Sequence, residues 1–383
     1  MKRPNPFLFF TLGGILKITG FFKGQRIQRL SKIKAPCIVL SNHTSFSDFI
    51  YTTAAIWPKR VNYIAASKMF LQPERGLWLR LARAIPKSLY QSDPRSTIAT
   101  FNILKKGGII LIFPEGQISP TGVTIPMNPA IGKLLKKAKV PVYIVKHKFA
   151  YLVNPPWSTK TFAGKIETVV DQIASKEDLN HLSVEEINLL VKESLYFNTH
   201  EENEIQRNEY IVQDIDNLES VIYRCPSCHQ EHLFTKGNQL ICPDCHASFE
   251  YDVYGKIGGF RLDSLYHLQE QALQNEIDQN KEFTMSSPVR LEMFRDNNIV
   301  DVGEGTLTLS RNLYLFEGLV DGLPVNYQFQ PSHIASLPSD LGINVQIYDH
   351  DQLYQFVFSD RHFPTKFVIA SEYFYQILMN DTN

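Results

Sequence analysis

The sequence predicts an α/β domain, then a small cysteine ribbon, then a β-rich C-terminal domain, and three patterns carry that expectation. Short apolar runs at 37–40, 61–66, 109–113 and 140–145 alternate with stretches of helical character in the first half, the order from which α/β sheets are built. Four of the five cysteines fall in two Cys-x-x-Cys pairs. From residue 288 onward, short strand-like runs recur at regular spacing with turn residues between them, the pattern of a small barrel or sandwich. At 383 residues and 44% hydrophobic content the chain is long enough for two or three domains.

The formal net charge of zero hides two halves of opposite sign. Residues 1–148 hold 24 Lys and Arg against four acids, and the remainder holds 15 against 35. A basic half suits a nucleic acid or an anionic membrane surface with its phosphate headgroups. The first 34 residues carry eight bases, no acid and an apolar run over 7–22 that is interrupted by Gly13, Gly14, Lys17 and Gly20. That run falls short of a clean bilayer span. Residues 1–29 are therefore expected to be a membrane-interacting segment, with apolar bulk and basic charge supplying both terms of peripheral binding. A signal peptide is the rival reading but lacks a small-x-small cleavage site; a helix docked on the protein's own surface is the other.

The α/β domain is expected over 30–175. The run at 37–40 stops at Asn42-His43-Thr44-Ser45-Phe46-Ser47-Asp48, which reads as a strand, a turn and a helix start. An offset of five pairs poorly inside a helix, but His43 falls in the turn before it, where Asp48 can meet its ring. A carboxylate on one imidazole nitrogen leaves the other free to take a proton from a hydroxyl; the bland alternative is a helix cap beside a surface histidine. A strand at 61–66, a helix lying on the sheet over 68–83, a turn at Ile85-Pro86-Lys87 and a helix at 96–104 follow. The continuous apolar run at 109–113 reads as a strand buried on both faces. It ends in Pro114-Glu115-Gly116-Gln117-Ile118-Ser119, where a carboxylate and a glycine would stand at the crevice in which open α/β sheets bind ligands. A helix at 131–139, a strand at 140–145 and an edge strand at 162–167 complete the domain.

His43 with Asp48 and Phe113-Pro114-Glu115-Gly116 with Ser119 resemble the H-x4-D and F-P-E-G-x-x-S motifs of the glycerolipid acyltransferases, in particular the 1-acylglycerol-3-phosphate acyltransferases. The spacing of about 70 residues and Val140-Pro141-Val142 are similar too, and the resemblance covers residues 30–165. It implies an α/β acyltransferase domain in which His43 is the general base, Asp48 orients it, and Glu115, Gly116 and Ser119 help place the acceptor. The acyl donor would be a thioester of coenzyme A or of acyl carrier protein, and the acceptor a membrane lysophospholipid. The pattern departs from the family twice: Lys87 stands where an Arg is usual, with Arg95 as a second candidate for a phosphate, and Gln117-Ile118 replaces a Thr-Arg pair. A catalytically inactive or non-enzymatic lipid- or protein-binding module is the competing reading.

Beyond the α/β domain, an acidic helical linker is expected over 176–220, including a capping box at Ser183-Val184-Glu185-Glu186. Cys225, Cys228, Cys242 and Cys245 then place two Cys-x-x-Cys knuckles 13 residues apart, which together suit the closed tetrahedral site of a structural zinc ion in a ribbon over 221–255. His229 and His246 line the ribbon in this reading. Reduced thiols place the chain in the cytoplasm, peripheral on the cytoplasmic face of a membrane. The basic residues sit with the acyltransferase motifs while the ribbon's surroundings are acidic, so no nucleic acid is expected. A helical linker over 256–284 leads to the β-rich domain at 285–383, with strands including 289–294, 305–309, 313–316, 354–358 and 367–369, a turn at 349–351 and a closing helix at 371–379. Strands followed by one helix resemble the PH/GRAM-type barrels.

Overall fold

The computed structural model describes residues 2–88, 93–295, 298–349 and 352–381. Two compact units divide the chain: residues up to 156 with 161–211, and residues 157–160 with 212 onward.

The first unit is built on a seven-stranded sheet in the order β1-β7-β6-β2-β5-β3-β4. Its strands are β1 (Gln25–Arg29), β2 (Cys37–Ser41), β3 (Asn62–Ala66), β4 (Ile85–Lys87), β5 (Ile109–Ile112), β6 (Val142–Lys148) and β7 (Ile166–Ala174). Neighbours run parallel except β6 and β7. The helices are α1 (Pro6–Phe22), α2 (Asp48–Ile56), α3 (Pro73–Leu81), α4 (Pro94–Lys105), α5 (Ala130–Ala138), α6 (Ala150–Val153), α7 (Lys176–His181), α8 (Val184–Leu195) and α9 (Thr199–Gln206).

The period of two along the central strands decides which helix covers which face. Ile38 and Leu40 of β2, Ile110 and Ile112 of β5, and Val142 and Ile144 of β6 pack with side chains from α4, α5, α7 and α8. Their neighbours Cys37, Val39, Ile109, Leu111, Tyr143 and Val145 pack with Ala55 and Ile56 of α2. Because both faces are covered, these strands read as unbroken apolar runs. At 0% exposure, Cys37 is a core residue whose thiol burial pushes up to about 12.

Several expectations are corrected here. Ile85-Pro86-Lys87 is not a turn but the edge strand β4, paired through Ile64↔Ile85 and Ala66↔Lys87. The strand expected at 162–167 lies at 166–174 and sits between β1 and β6. β1, expected in the membrane-interacting segment, belongs to the sheet; its Gln-Arg-Ile-Gln-Arg sequence is too polar to announce a strand. Residues 176–206 are not a linker, since Leu179, Ile187, Val191 and Leu195 are buried against the sheet while their acids face outward. The capping box forms as expected, with Glu186 N–H on Ser183 Oγ and Ser183 N–H on the Glu186 carboxylate. The helix expected to lie on the sheet over 68–83 is shorter and leaves Leu77 and Trp78 more than half exposed.

α1 docks on α2 through small residues. Gly13 approaches Trp57 so closely that a Cβ there would stand 2.7 Å from Cδ1, and Gly20 sits beside Gln25 and Ala54. Phe10 is partly exposed but its ring lies on Trp57, with centroids 5.1 Å apart; Phe7, Ile15, Ile18, Phe21 and Phe22 are exposed as well. The docking on α2 accords with the docked-helix reading of this segment, and the helix also exposes apolar side chains. No helix among the described residues is long and apolar enough to cross a membrane.

The second unit begins with a three-stranded antiparallel ribbon, β8 (Phe234–Lys236), β9 (Gln239–Ile241) and β10 (Ser248–Glu250), and a hairpin of β11 (Lys256–Ile257) and β12 (Phe260–Arg261). α10 (Leu262–Gln279) follows, then a seven-stranded antiparallel sheet in the order β16-β15-β14-β13-β19-β18-β17. These strands are β13 (Thr284–Arg295), β14 (Asn298–Ser310), β15 (Tyr314–Val320), β16 (Leu323–Phe329), β17 (Ser339–Asp340), β18 (Asn344–Asp349) and β19 (Gln352–Phe358), and α11 (Phe363–Asp381) closes the chain. Leu273 and Ile277 of α10 share a core with Leu307, Phe316, Phe356 and Phe374, so the 256–284 linker is corrected to an integral helix. Residues 367–369, expected as a strand from their Phe-Val-Ile sequence, lie inside α11: the apolar surface of the sheet supplies the burial that overrides local β preference. Of the turn expected at 349–351, His350 and Asp351 lie outside the described residues.

Candidate active site

The sheet order brings the two halves of the site together, because β2 and β5 are adjacent and parallel and their C-terminal ends deliver residues 43–48 and 113–119 to one edge. Asn42 fixes the exit of β2: its Nδ2–H donates to the His147 carbonyl (2.9 Å) and its Oδ1 accepts the His147 N–H (2.8 Å). The next residues turn so that Asp48, the first residue of α2, points back into the bend. Its Oδ2 accepts N–H bonds from Thr44 (2.7 Å) and Ser45 (2.9 Å) and lies 3.0 Å from His43 Nδ1. Asp48 is fully buried, whereas the His43 side chain is 21% exposed. With two amides already on Oδ2, the proton of the third bond belongs to Nδ1, which leaves the lone pair on Nε2. That nitrogen is the one placed to act as a base.

The Phe-Pro-Glu-Gly loop holds His43 on three sides. The Phe113 ring stacks on the imidazole, with centroids 4.3 Å apart and an interplanar angle of 23°. His43 N–H donates to Glu115 Oε1 (2.8 Å), and His43 C=O accepts from Ser119 N–H (2.9 Å). Glu115 Oε2 accepts Ile125 N–H (3.1 Å). Burial pushes the Glu115 carboxyl up to about 8; the two amide bonds oppose that shift and the nearby charge of Asp48 adds to it. Ser119 Oγ donates to Val123 C=O (2.6 Å) and accepts Gly122 N–H (3.0 Å). Glu115 and Ser119 are both buried, and these bonds of their side chains go to backbone of their own unit. Gly116 is exposed with φ +76° and closes the turn through its N–H on Phe113 C=O (3.1 Å). A Cβ there would meet nothing within 4 Å, so the backbone angle is what calls for glycine.

Lys87 and Arg95 lie on the same edge but apart from the dyad. Lys87 ends β4, three strand spacings from β2, ~14 Å across the sheet. Arg95 is exposed in the first turn of α4, and Asp93 ties that turn to the end of β4 by accepting Ser96 N–H (3.0 Å) and Ser88 N–H (2.9 Å). Neither cation is bonded to His43 or Asp48 among the described residues.

A buried polar chain behind the dyad escaped the sequence reading. His147 of β6 is fully buried, with Nε2 2.7 Å from Thr52 Oγ1 and Nδ1 3.0 Å from Thr168 Oγ1. Thr52 Oγ1 donates to Asp48 C=O (2.7 Å), and Gln25 Nε2 donates to Thr168 Oγ1 (2.8 Å). One assignment of protons satisfies every link: Gln25 to Thr168, Thr168 to His147 Nδ1, His147 Nε2–H to Thr52, Thr52 to Asp48. His147 is neutral here, since burial lowers it to about 4 against a smaller upward pull from Asp48. The available signal was parity, for His147 shares the α2-facing side of β6 with Tyr143 and Val145.

In the second unit, Cys225, Cys228, Cys242 and Cys245 converge with all four sulfurs within 4.8 Å of one another. Sγ separations of 3.7 Å (Cys225–Cys245) and 3.6 Å (Cys228–Cys242) match the edge of about 3.8 Å for a tetrahedron with 2.3 Å metal–sulfur bonds. All four thiols are free of disulfides. His229 and His246, each directly after a knuckle, adopt positive φ (+63° and +59°) and turn the chain, which accounts for their place beside the cluster rather than in it.

Residues 22–148 match the family described as Acyltransferase. The chloroplastic 1-acyl-sn-glycerol-3-phosphate acyltransferase of Brassica napus is 30% identical over 133 residues, 33% of this chain and 38% of that protein. The 1-acyl-sn-glycerol-3-phosphate acyltransferase of Bacillus subtilis is 23% identical over 150 residues, 39% of this chain and 72% of that protein. The crystal structure of the 1-acyl-sn-glycerophosphate acyltransferase of Thermotoga maritima aligns with a TM-score of 0.43 at 20% identity, over 52% of this chain and 79% of that one. The chain spans well under half the length of the Brassica relative. Residues 22–148, the part of the first unit that holds the His43–Asp48 pair and the Phe-Pro-Glu-Gly loop, are thus similar to the acyltransferases. Within that match, the relatives that the chain resembles are 1-acyl-sn-glycerol-3-phosphate acyltransferases.

Two buried groups give stability opposite dependences on pH. His147 is lowered from 6.5 to about 4, so between those values the unfolded chain binds a proton that the folded chain refuses, and stability falls as pH drops through the window by roughly 3 kcal/mol in total. Glu115 is raised from 4.5 to about 8, so its contribution is present in acid and is lost as pH rises toward 8. Urea midpoints of His147→Asn should lose the acid-side decline, and those of Glu115→Gln should lose the decline toward pH 8. Unchanged profiles in both variants would contradict the assignments.

Proposed function

We propose that the first unit is an O-acyltransferase that moves a fatty acyl group from acyl-coenzyme A or acyl carrier protein to a hydroxyl of a lysophospholipid-type acceptor such as 1-acylglycerol-3-phosphate. The observation that carries the reading is the His43–Asp48 pair at 3.0 Å with a fully buried carboxylate. His43 Nε2 takes the hydroxyl proton as the oxygen attacks the thioester carbonyl; the C–O bond forms, the C–S bond breaks, and the imidazolium returns its proton to the departing thiolate. Asp48 stabilises the imidazolium while it exists. Glu115 and Ser119 act as positioning residues through the backbone of His43. Lys87 and Arg95 serve phosphates at a distance from the reacting hydroxyl.

The unit works from the cytoplasmic face of an anionic membrane. Support comes from the outward face of α1, the basic N-terminal sequence, and Phe46 and Phe49, which flank Asp48 and are about half exposed. These aromatics would admit a lipid acceptor to the dyad from the leaflet itself. In the second unit the four cysteines hold a structural Zn2+ ion, supported by the sulfur spacing. Such an ion supplies fold stability and leaves no open position for chemistry. The sheet order with its closing α11 supports a PH/GRAM-like assignment for the C-terminal domain.

His43→Ala should reduce acyl transfer to a lysolipid panel by about 10²–10⁴-fold; wild-type rates in the purified variant, or no transfer by the wild type with either donor, would refute the catalytic reading. Replacing Phe7, Ile15 and Phe22 together by Ser should weaken sedimentation with anionic vesicles by about tenfold or more while the circular dichroism spectrum stays unchanged. Dialysed wild-type protein should retain near one equivalent of zinc, and Cys242→Ser should lose it along with several degrees of the second unit's melting temperature.

A further inference from the structure

A second cluster of ligand-type side chains lies in the second unit, away from the four cysteines. His232, in the loop between the first knuckle and β8, meets Asp360 and His362 in the loop leading into α11, with their ligand atoms all within 4.8 Å of one another. His362 Nδ1 stands 2.5 Å from Asp360 Oδ1, and His232 Nδ1 stands 3.6 Å from Oδ2. The two imidazoles thus approach the two oxygens of one carboxylate, with their rings edge to face at 5.6 Å.

The other nitrogen of His362 decides what the cluster needs. Nε2 lies 2.6 Å from the Leu233 carbonyl, an acceptor only, so Nε2 carries a hydrogen. In the neutral ring the lone pair is then on Nδ1, aimed at a carboxylate oxygen 2.5 Å away. Two lone pairs at that separation repel, so in the ion-free cluster Nδ1 carries a proton, and an entering metal ion would take that proton's place. A proton on Nδ1 would satisfy His362 alone; it gives no reason for His232 to be held in a left-handed backbone conformation (φ +72°) with its Nδ1 toward the second oxygen. Of the neighbouring cations, Lys366 is bonded to both oxygens of Glu231 (2.8 and 2.9 Å) and Arg224 is paired with Glu231 and Glu276.

The cluster also has the supports that metal ligands use. A histidine that donates its distal N–H to a backbone carbonyl has its tautomer and ring plane set for coordination. Asp360 is oriented in advance by the His362 N–H, which donates to Oδ1 at 3.0 Å. The His232 side chain is 66% exposed and Asp360 32%, so an ion can enter and keep water in its open positions. Two imidazoles and one carboxylate favour a borderline transition metal over Ca2+ or Mg2+.

We propose that His232, Asp360 and His362 form a surface-accessible, exchangeable site for a divalent transition-metal ion of the Zn2+ or Ni2+ type, separate from the four-cysteine centre. The ion would join the loop of the ribbon to the loop before α11, residues 128 positions apart in sequence for the His232–Asp360 pair. A link between segments so distant in sequence stabilises the folded unit by mass action when the ion is present.

Calorimetric titration of the full chain with Zn2+ at pH 7.5, starting from dialysed protein that retains its cysteine-bound metal, tests this directly. One further equivalent should bind. His232→Ala, which alters an exposed side chain, should weaken that event by about tenfold or more, and His362→Gln should abolish it, with the retained equivalent unchanged in both. Saturating Zn2+ should raise the melting temperature of the wild type and not of His362→Gln. Absence of a second equivalent, or equal binding by wild type and both variants, would overturn the proposal. Loss of the retained equivalent from the wild type would instead count against the cysteine centre.

Discussion

The bond from the His43 amide to the buried Glu115 carboxylate is the constraint on which the site rests. It joins the ends of two adjacent parallel strands, and the second oxygen extends the grip to Ile125. A buried carboxyl group is costly without partners, and in the loop after β5 both oxygens of Glu115 have them. In that arrangement Phe113 lies on the imidazole and Ser119 holds the His43 carbonyl. His43 therefore has its backbone fixed from both sides before any side-chain contact with Asp48 is considered. Preorganisation of this kind lets an imidazole keep a usable lone pair in a partly exposed position.

Asp48 gains rigidity from the opposite direction. Its carboxylate is held by the turn amides, and its carbonyl is the end of the polar chain that runs through Thr52, His147 and Thr168 to Gln25. The chain crosses from α2 through β6 and β7 to β1, which explains why a strand as polar as β1 is retained in the sheet. Two mechanically separate supports, one from β5 and one from β6, thus meet at the pair.

Much of this was legible because the residues concerned obey local rules. The runs at 37–40 and 109–113 are strands since nothing but a doubly covered sheet accommodates them, and the offset between His43 and Asp48 works because His43 precedes the helix. The cysteine knuckles announce themselves by spacing. What local rules missed was decided by neighbours distant in sequence. For Glu115, a turn residue gives no hint that two backbone amides await its side chain. Ile85-Pro86-Lys87 looked like a turn because its proline tolerates only an edge strand, and edges are a property of the whole sheet. The acids of 176–206 concealed a buried stripe of Leu179, Ile187, Val191 and Leu195, and Phe367 to Ile369 became helical because the sheet of the second unit offers a face to cover.

α1 is fastened to the unit by two glycines as well as by side chains, with Phe9 packed on the core and Phe10 on Trp57. Its seat uses Gly13 against Trp57 and Gly20 beside Ala54, so the residues that look outward, Ile15, Ile18 and Phe22 among them, have no packing duties within the unit. The helix is consequently divided into an inner register that admits almost no variation and an outer register open to drift. Hydrophobic bulk, side-chain length and charge on that outer side are free to change, one substitution at a time, without disturbing the scaffold that carries His43.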